Sequence, residues 1–299
     1  MRTLITSSLL FISLICNGQN LPYLQHITLG DGQGEADEVL VLDTLPGGDI
    51  VTAGIFEGYI DFDPDSNATA LRLAEQGRHN LFLGRYSPQG QLRWIRKVSS
   101  SRSIDPTGLA VSDSDHIYIS GFYIEDADFL PEQPGGEINS TDLNDADIFL
   151  ASFDAAGNFR WAKGIGGEGV DAGMDVALQS SGEVILLGHF GDTVDFNPGQ
   201  ISSRRISAGA GDVFIASFNS RGNYNWVRQL PGTGFDNARA VAIDASDHIY
   251  VYGDFTGTLT FRLVPLSTLT RQGGNDMFIA KFNPRGNFRW GHRLGGSST

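Results

Sequence analysis

Cysteine is almost absent from this chain of 299 residues: Cys16 is the only one, and it lies in an N-terminal stretch with the marks of a leader. A processed chain would therefore hold no disulfide, no thiolate metal site and no cysteine nucleophile, and its stability has to come from packing. Export without disulfides suits a bacterial envelope or extracellular protein better than a eukaryotic secreted one. Basic charge is also in short supply, with 21 Lys and Arg against 35 Asp and Glu and a net charge of -14. Nucleic acid is excluded as a partner, because phosphate binding needs clustered cations, and an anionic membrane surface is disfavoured for the same reason. After the leader no apolar run approaches the ~18 residues of a membrane span, so no transmembrane segment is expected. No ten-residue stretch keeps a helical period between caps, so almost no helix is expected either.

What is present is turn-rich and foldable: 38 Gly but only 11 Pro, 40% hydrophobic and 10% aromatic residues. Residues 1–18 read as a signal peptide, with Arg2 as the positive start, an apolar run over 9–15 and Cys16-Asn17-Gly18 before the expected cleavage. A lipid anchor on Cys16 is the competing reading, but Ile15 stands where a lipobox carries a small residue.

The remainder, 19–299, is one repeat domain. Trp94, Trp161, Trp226 and Trp290 are separated by 67, 65 and 64 residues, a period that signals an array of supersecondary units. Gly54, Gly121, Gly188 and Gly253 keep the same beat, each ending an apolar run, and each is followed two residues later by Phe56, Tyr123, Phe190 or Phe255. An Asp-Phe landmark or its variant follows at Phe62, Phe129, Phe196 and Phe261, and then a further strand such as Asp212-Val213-Phe214. The runs are four to eight residues long, rich in Val, Ile, Phe and Tyr, and bounded by Gly, Asn, Asp and Pro, as strands joined by hairpins are. Gly157-Asn158, Gly222-Asn223 and Gly286-Asn287 supply residues that tolerate positive φ at the reversals.

The expected fold is all-β: a β-propeller-type array of four four-stranded repeats plus one extra strand. Framed on the tryptophan strand, the units are about 22–90, 91–157, 158–222 and 223–287, with the extra strand at 288–296. Residues 22–30 align with the tryptophan strand, Tyr23 replacing Trp, so this strand occurs five times and the others four. Either the array is a four-bladed ring with a strand that caps or swaps, or it is incomplete, part of a longer ring. The end strands near Tyr23 and Trp290 are edges that have to be paired, covered or swapped, so self-association through them is an expectation.

Segments such as Asp175-Val176-Ala177, Gly188-His189-Phe190, Val194-Asp195-Phe196-Asn197-Pro198, Gly211-Asp212-Val213-Phe214-Ile215-Ala216, Gly222-Asn223 and Trp226 resemble the bacterial SBBP, or seven-bladed β-propeller, repeat. The resemblance covers nearly all of 21–299 and implies a secreted bacterial protein with no catalytic residues assigned to the repeat. The chain departs from the family in its count, four units where the name implies seven.

No reaction centre stands out. Gly164-x-Gly166-x-x-Gly169 matches the dinucleotide fingerprint by letters, but no helix pattern follows to meet a pyrophosphate, so no cofactor is expected. Asp61, Asp63, Asp65 and Asn67 alternate as oxygen ligands of a Ca²⁺ loop do, yet Ser66 and Arg72 occupy the positions where an EF-hand needs Gly and Glu. They are the one metal candidate, with a turn role as the preferred reading; the cluster Asp142, Asp145 and Asp147 is weaker still. His116 and His248 share one repeat position and suit the turn, while His79, His189 and His292 are single and form no metal-ligand spacing. There is no G-x-S-x-G elbow. The tryptophans, set in alternating strands, read as packing between blades rather than as a ladder for sugars.

These features point to a non-catalytic secreted scaffold or binding module that recognises an extracellular protein or glycan through its loops. The alternative is an exported carbohydrate-active enzyme with converging carboxylates at the propeller centre, since 35 acidic residues leave room for such a pair.

Overall fold

The computed structural model describes residues 37–63, 71–73, 78–140, 142–263 and 266–297, and is all-β, with no helix among them. The leader at 1–18, the Tyr23 strand, Asp65 and Asn67 lie outside these residues. The period-two alternation of apolar residues builds four antiparallel sheets of the same plan. The first uses Glu38–Thr44, Ile50–Phe56, Asn80–Tyr86 and Leu92–Ser100; the second Ser103–Val111, Ile117–Ile124, Ala146–Phe153 and Phe159–Ile165. The third uses Ala172–Leu178, Val184–Phe190, Asp212–Phe218 and Tyr224–Leu230; the fourth Asp236–Ile243, Ile249–Phe255, Asp276–Phe282 and Phe288–Leu294.

The sheets begin one strand later than the repeat units framed on tryptophan. Each tryptophan strand pairs with the strand before it and closes its own sheet, Lys281 standing opposite Trp290 as Ser217 stands opposite Trp226. Residues 288–294 are therefore the regular fourth strand of the fourth sheet, and not a strand left over. The reason is local: the Asn-x-x-Gly-Asn reversals, with Gly222 at φ 76° and its amide donating to the Asn219 carbonyl, tie the tryptophan strand backward. The Asp-Phe landmark opens a hairpin outside the four strands of its own sheet, as in Thr193–Asp195 with Arg204–Ile206, and in the second repeat the hairpin Asp126–Asp128 with Glu137–Asn139 joins the edge of the first sheet.

A bulge recurs in each first strand, after Val39, Pro106, Gly173 and Ala238. It presses a carbonyl, that of Glu38, Asp105, Ala172 or Asn237, onto Gly54, Gly121, Gly188 or Gly253, and the ring of Phe82, Phe149, Phe214 or Phe278 closes the other side. Only hydrogen fits there, which is why this glycine marks every repeat.

The sheets stack in series, with first strands joined across the stack. Val111 donates its amide to Asp43, the Thr107 hydroxyl donates to the Gly173 carbonyl at 2.6 Å, and Val241 donates its amide to Asp175. Burial pushes the Asp175 carboxyl up, against the lowering effect of the Val241 and Val176 amides. Three hydrophobic clusters fill the junctions between successive sheets, and none among the described residues joins the fourth sheet to the first. The first three tryptophans each dock on the reversal of the next sheet: Trp94 on Gly157, Trp161 on Gly222, Trp226 on Gly286. A Cβ at these glycines would stand 2.9, 2.9 and 2.6 Å from the indole, and the Nε1 groups of Trp94 and Trp161 donate to the Ala155 and Ser220 carbonyls. Trp94, Trp161 and Trp226 are thus packing elements, partly buried against the junction clusters.

Candidate functional site

The recurring hairpins meet the loops of the preceding sheet along one side of the stack. Ser99 and Ser100 pair with Asp128 and Ala127, and at the same place in later repeats Gly167 bridges to Val194 and Gly232 to Leu259. Between the second and third repeats this meeting leaves a groove of about 620 Å³, lined by Asp142, Gly166, Gly167, Glu168, Thr193, Asp195, Ser202 and Arg204. Nearby in sequence stand the exposed apolar side chains of Leu143, Val170 and Ile201. Three carboxylates, one guanidinium and two hydroxyls give a polar lining.

Asp195 is held by its own hairpin, accepting from the amides of Asn197 at 3.0 Å and Ser203 at 2.8 Å. Burial works against its charge, but these two amides, the Ser202 hydroxyl and the Arg204 charge outweigh it and hold its carboxyl below the usual range. It is a fixed anion at physiological pH. Asp142 accepts from the Asn144 amide, and Glu168 is exposed. The part of the glycine motif at Gly166 and Gly167 is the wall of this groove and is followed by a bridge, not a helix.

Beneath the groove is an arrangement that the sequence reading missed. Asn80, Asp147, Asp212 and Asp276 stand in register opposite Phe56, Tyr123, Phe190 and Phe255. Asp171 and Asp236 hold the equivalent place on first strands, so Asp147 meets Asp171 and Asp212 meets Asp236 across two junctions. All four are buried. Asp212 accepts from the Ala208 and Gly232 amides and the Gln229 side chain; Asp171 accepts from the Gly167 and Gly191 amides. Burial pushes Asp171 up to about 8, with Asp147 and Asp145 adding to the rise and the two amides opposing it. Burial likewise pushes Asp236 up to about 7, aided by the charges of Asp212 and Asp254 and opposed by the Thr256 amide. In each pair the first-strand carboxyl, Asp171 or Asp236, is therefore the one whose charge burial and its acidic neighbour oppose. The signal in sequence is a co-substitution: where the first strand carries Ile104, the partner is Asn80.

The remaining candidates separate. Asp61 accepts the Asp63 amide in a turn, and no group of three acidic or histidine ligands occurs among the described residues. Asp142 reaches the groove while Asp147 is sealed below it. His116 and His248 take their own amides' hydrogen bonds into turns through Ser112 and Asp244. His79 pairs with Glu57 at 2.9 Å, and His189 is buried edge-on to Phe235, which lowers its pKa to about 4 through desolvation first and the Arg239 charge second.

No family model matches the chain. It is 24% identical over 232 residues, 68% of its length, to an uncharacterized WD repeat-containing protein of Acanthamoeba polyphaga mimivirus. It is also 25% identical over 154 residues, 49% of its length, to the regulatory protein FlaEY of Caulobacter vibrioides. The aligned stretches make up 16% of either relative. A solved protein of unknown function from Bacteroides caccae is similar over 71% of this chain and 89% of its own, at 9% identity and a TM-score of 0.26. The WD-repeat likeness and the four stacked sheets agree on a repeat array of β-propeller type, the specific SBBP likeness resting on the residues quoted above.

Proposed function

We propose that this chain is a non-catalytic binding module, exported by a bacterium and free of any cofactor, that takes a protein segment or a glycan in the groove between its second and third hairpins. The observation that carries this reading is the groove itself, where Asp195 is a pre-set anion beside Arg204 and hydroxyl-bearing Thr193 and Ser202. Such a lining offers both acceptors and donors to a hydroxyl-rich or peptide ligand, on rigid hairpins that lose little freedom on binding. The leader-like residues 1–18 support export.

The carbohydrate-active alternative would draw on Asp171, whose carboxyl stays protonated to about pH 8 as a general acid requires. Against that role, Asp171 is buried under the Gly167 amide and its environment recurs one junction later at Asp236. A glycan and peptide array tests the binding reading: Arg204→Ala and Asp195→Asn each weaken the selected ligand at least about tenfold, in line with loss of a charged hydrogen bond. Turnover of a polysaccharide that Asp171→Asn abolishes, with binding indifferent to both groove substitutions, overturns it.

A further inference from the structure

The three internal junctions define what the last face of the stack is shaped to hold. Counting four residues on from each tryptophan gives Val98, Ile165 and Leu230, all buried under the next sheet, and then Leu294, which is 46% exposed. Leu81, Ile148 and Val213 are buried, and their counterpart Met277 is 41% exposed. Leu187 is buried and its counterpart Tyr252 is 39% exposed. Trp290 itself is 36% exposed, set edge-on to Tyr250 and beside His292, which holds the place where Arg96 and Arg228 grip the carbonyls of the next reversal. Among the described residues, the fourth sheet thus presents the junction side chains of its predecessors with no sheet packed on them.

The complementary seat is at the opposite end. The first reversal carries Gly90 at φ 82°, its amide donating to the Ser87 carbonyl at 2.9 Å, the same turn as at Gly157, Gly222 and Gly286. Those three glycines are buried beneath an indole, whereas Gly90 is half-buried. Pro88 presents its carbonyl where Ala155 and Ser220 accept from Trp94 and Trp161.

We propose that the outward face of the fourth sheet binds the first sheet of a second copy of this chain, with Trp290 seated on Gly90, and that two copies joined in this way at both ends form a ring of eight sheets. The contact continues an interface the chain already makes three times, so its geometry is that of an existing junction. Among the described residues each copy offers one face and one seat, a heterologous contact that closes a ring where the rotation allows. Eight blades lie within the range in which propellers close. The inference is independent of the ligand groove, which lies between the second and third repeats.

The test is the solution mass of the full chain by sedimentation across its soluble concentration range. The wild type is expected at twice the monomer mass, and Trp290→Glu or Met277→Glu, both at exposed positions, to fall to the monomer with an unchanged circular-dichroism spectrum and a melting temperature that no longer depends on concentration. Gly90→Asn, a residue that tolerates positive φ, fills the seat and has the same effect. Mixing Trp290→Glu with Gly90→Asn restores one good face and one good seat, and so returns a dimer held at one end; a contact between two identical faces would give no such rescue. A wild type that stays monomeric at every concentration, or a dimer indifferent to Trp290→Glu and Met277→Glu, overturns the proposal.

Discussion

Between the first and second sheets the chain places Asn80 and Ile104, whereas one junction later the same positions hold Asp147 and Asp171, and the next junction repeats the acids as Asp212 and Asp236. The backbone plan is the same at all three: Ser100 donates its amide to Asn80 as Gly232 does to Asp212. The two classes of junction show that the fold is specified by bulge glycines, indoles and phenylalanine rings, and that the polar positions above them are free to differ in charge. At these positions only the acid junctions carry carboxyls. In the folded protein burial keeps the proton on Asp171 to about pH 8, against about 3.9 for an ordinary aspartate. The folded state therefore binds more protons across that window, and stability is full below the lower value and is lost as pH rises through the upper one.

The comparison can be broken or sharpened by substitution. The largest effect belongs to what the junctions share: Gly121→Ala and Gly188→Ala drive a methyl into a bulge carbonyl in either class, and each is expected to cost upwards of about 3 kcal/mol in urea unfolding. Next, Ile104→Asp places an unplanned carboxyl in the neutral junction, with an expected loss of roughly 3 kcal/mol at pH 9 and a smaller one at pH 4, read from paired thermal melts. The reverse conversion, Asp147→Asn with Asp171→Ile, is expected to gain roughly 1–3 kcal/mol at pH 9 and little at pH 4, flattening the pH dependence. An unchanged slope would place that dependence elsewhere. The smallest effect tests the open end, where Arg293 bonds Asp276 at 2.8 Å and, with the Gln272 amide, holds its carboxyl below the usual range. A depressed folded pKa contributes stability above the unfolded value and loses it as pH falls. Arg293→Gln is thus expected to lower the melting temperature slightly at pH 7 and not at pH 2.

The strands, the count of tryptophans and the glycine beat were legible because packing imposes them on every copy. The sheet frame was not. Tryptophan is conspicuous and drew the unit boundary to Trp94, Trp161 and Trp226, but which neighbour a strand pairs with is set by the reversal at Gly157, Gly222 and Gly286. The acid pairs stayed hidden because Asp147 and Asp171 lie 24 residues apart on different sheets, while local spacing grouped Asp147 with Asp142 and Asp145. A loop carboxylate that lines a groove and one that is buried at a junction look alike in a sequence. The seat of Trp94 on Gly157 was equally distant, since both residues were visible as landmarks and only their contact was not.

The indole docked on a glycine turn also fixes how the molecule comes apart. In the Trp290→Glu variant, whose ring is open, each latch couples a sheet to its immediate neighbour and to nothing further, so the four described sheets behave as a linear chain of coupled units whose two end members have one partner fewer. Amide exchange in that variant should be graded along the chain, fastest in the first and fourth sheets and slowest in the middle two, whereas in the closed wild-type ring the gradient should flatten.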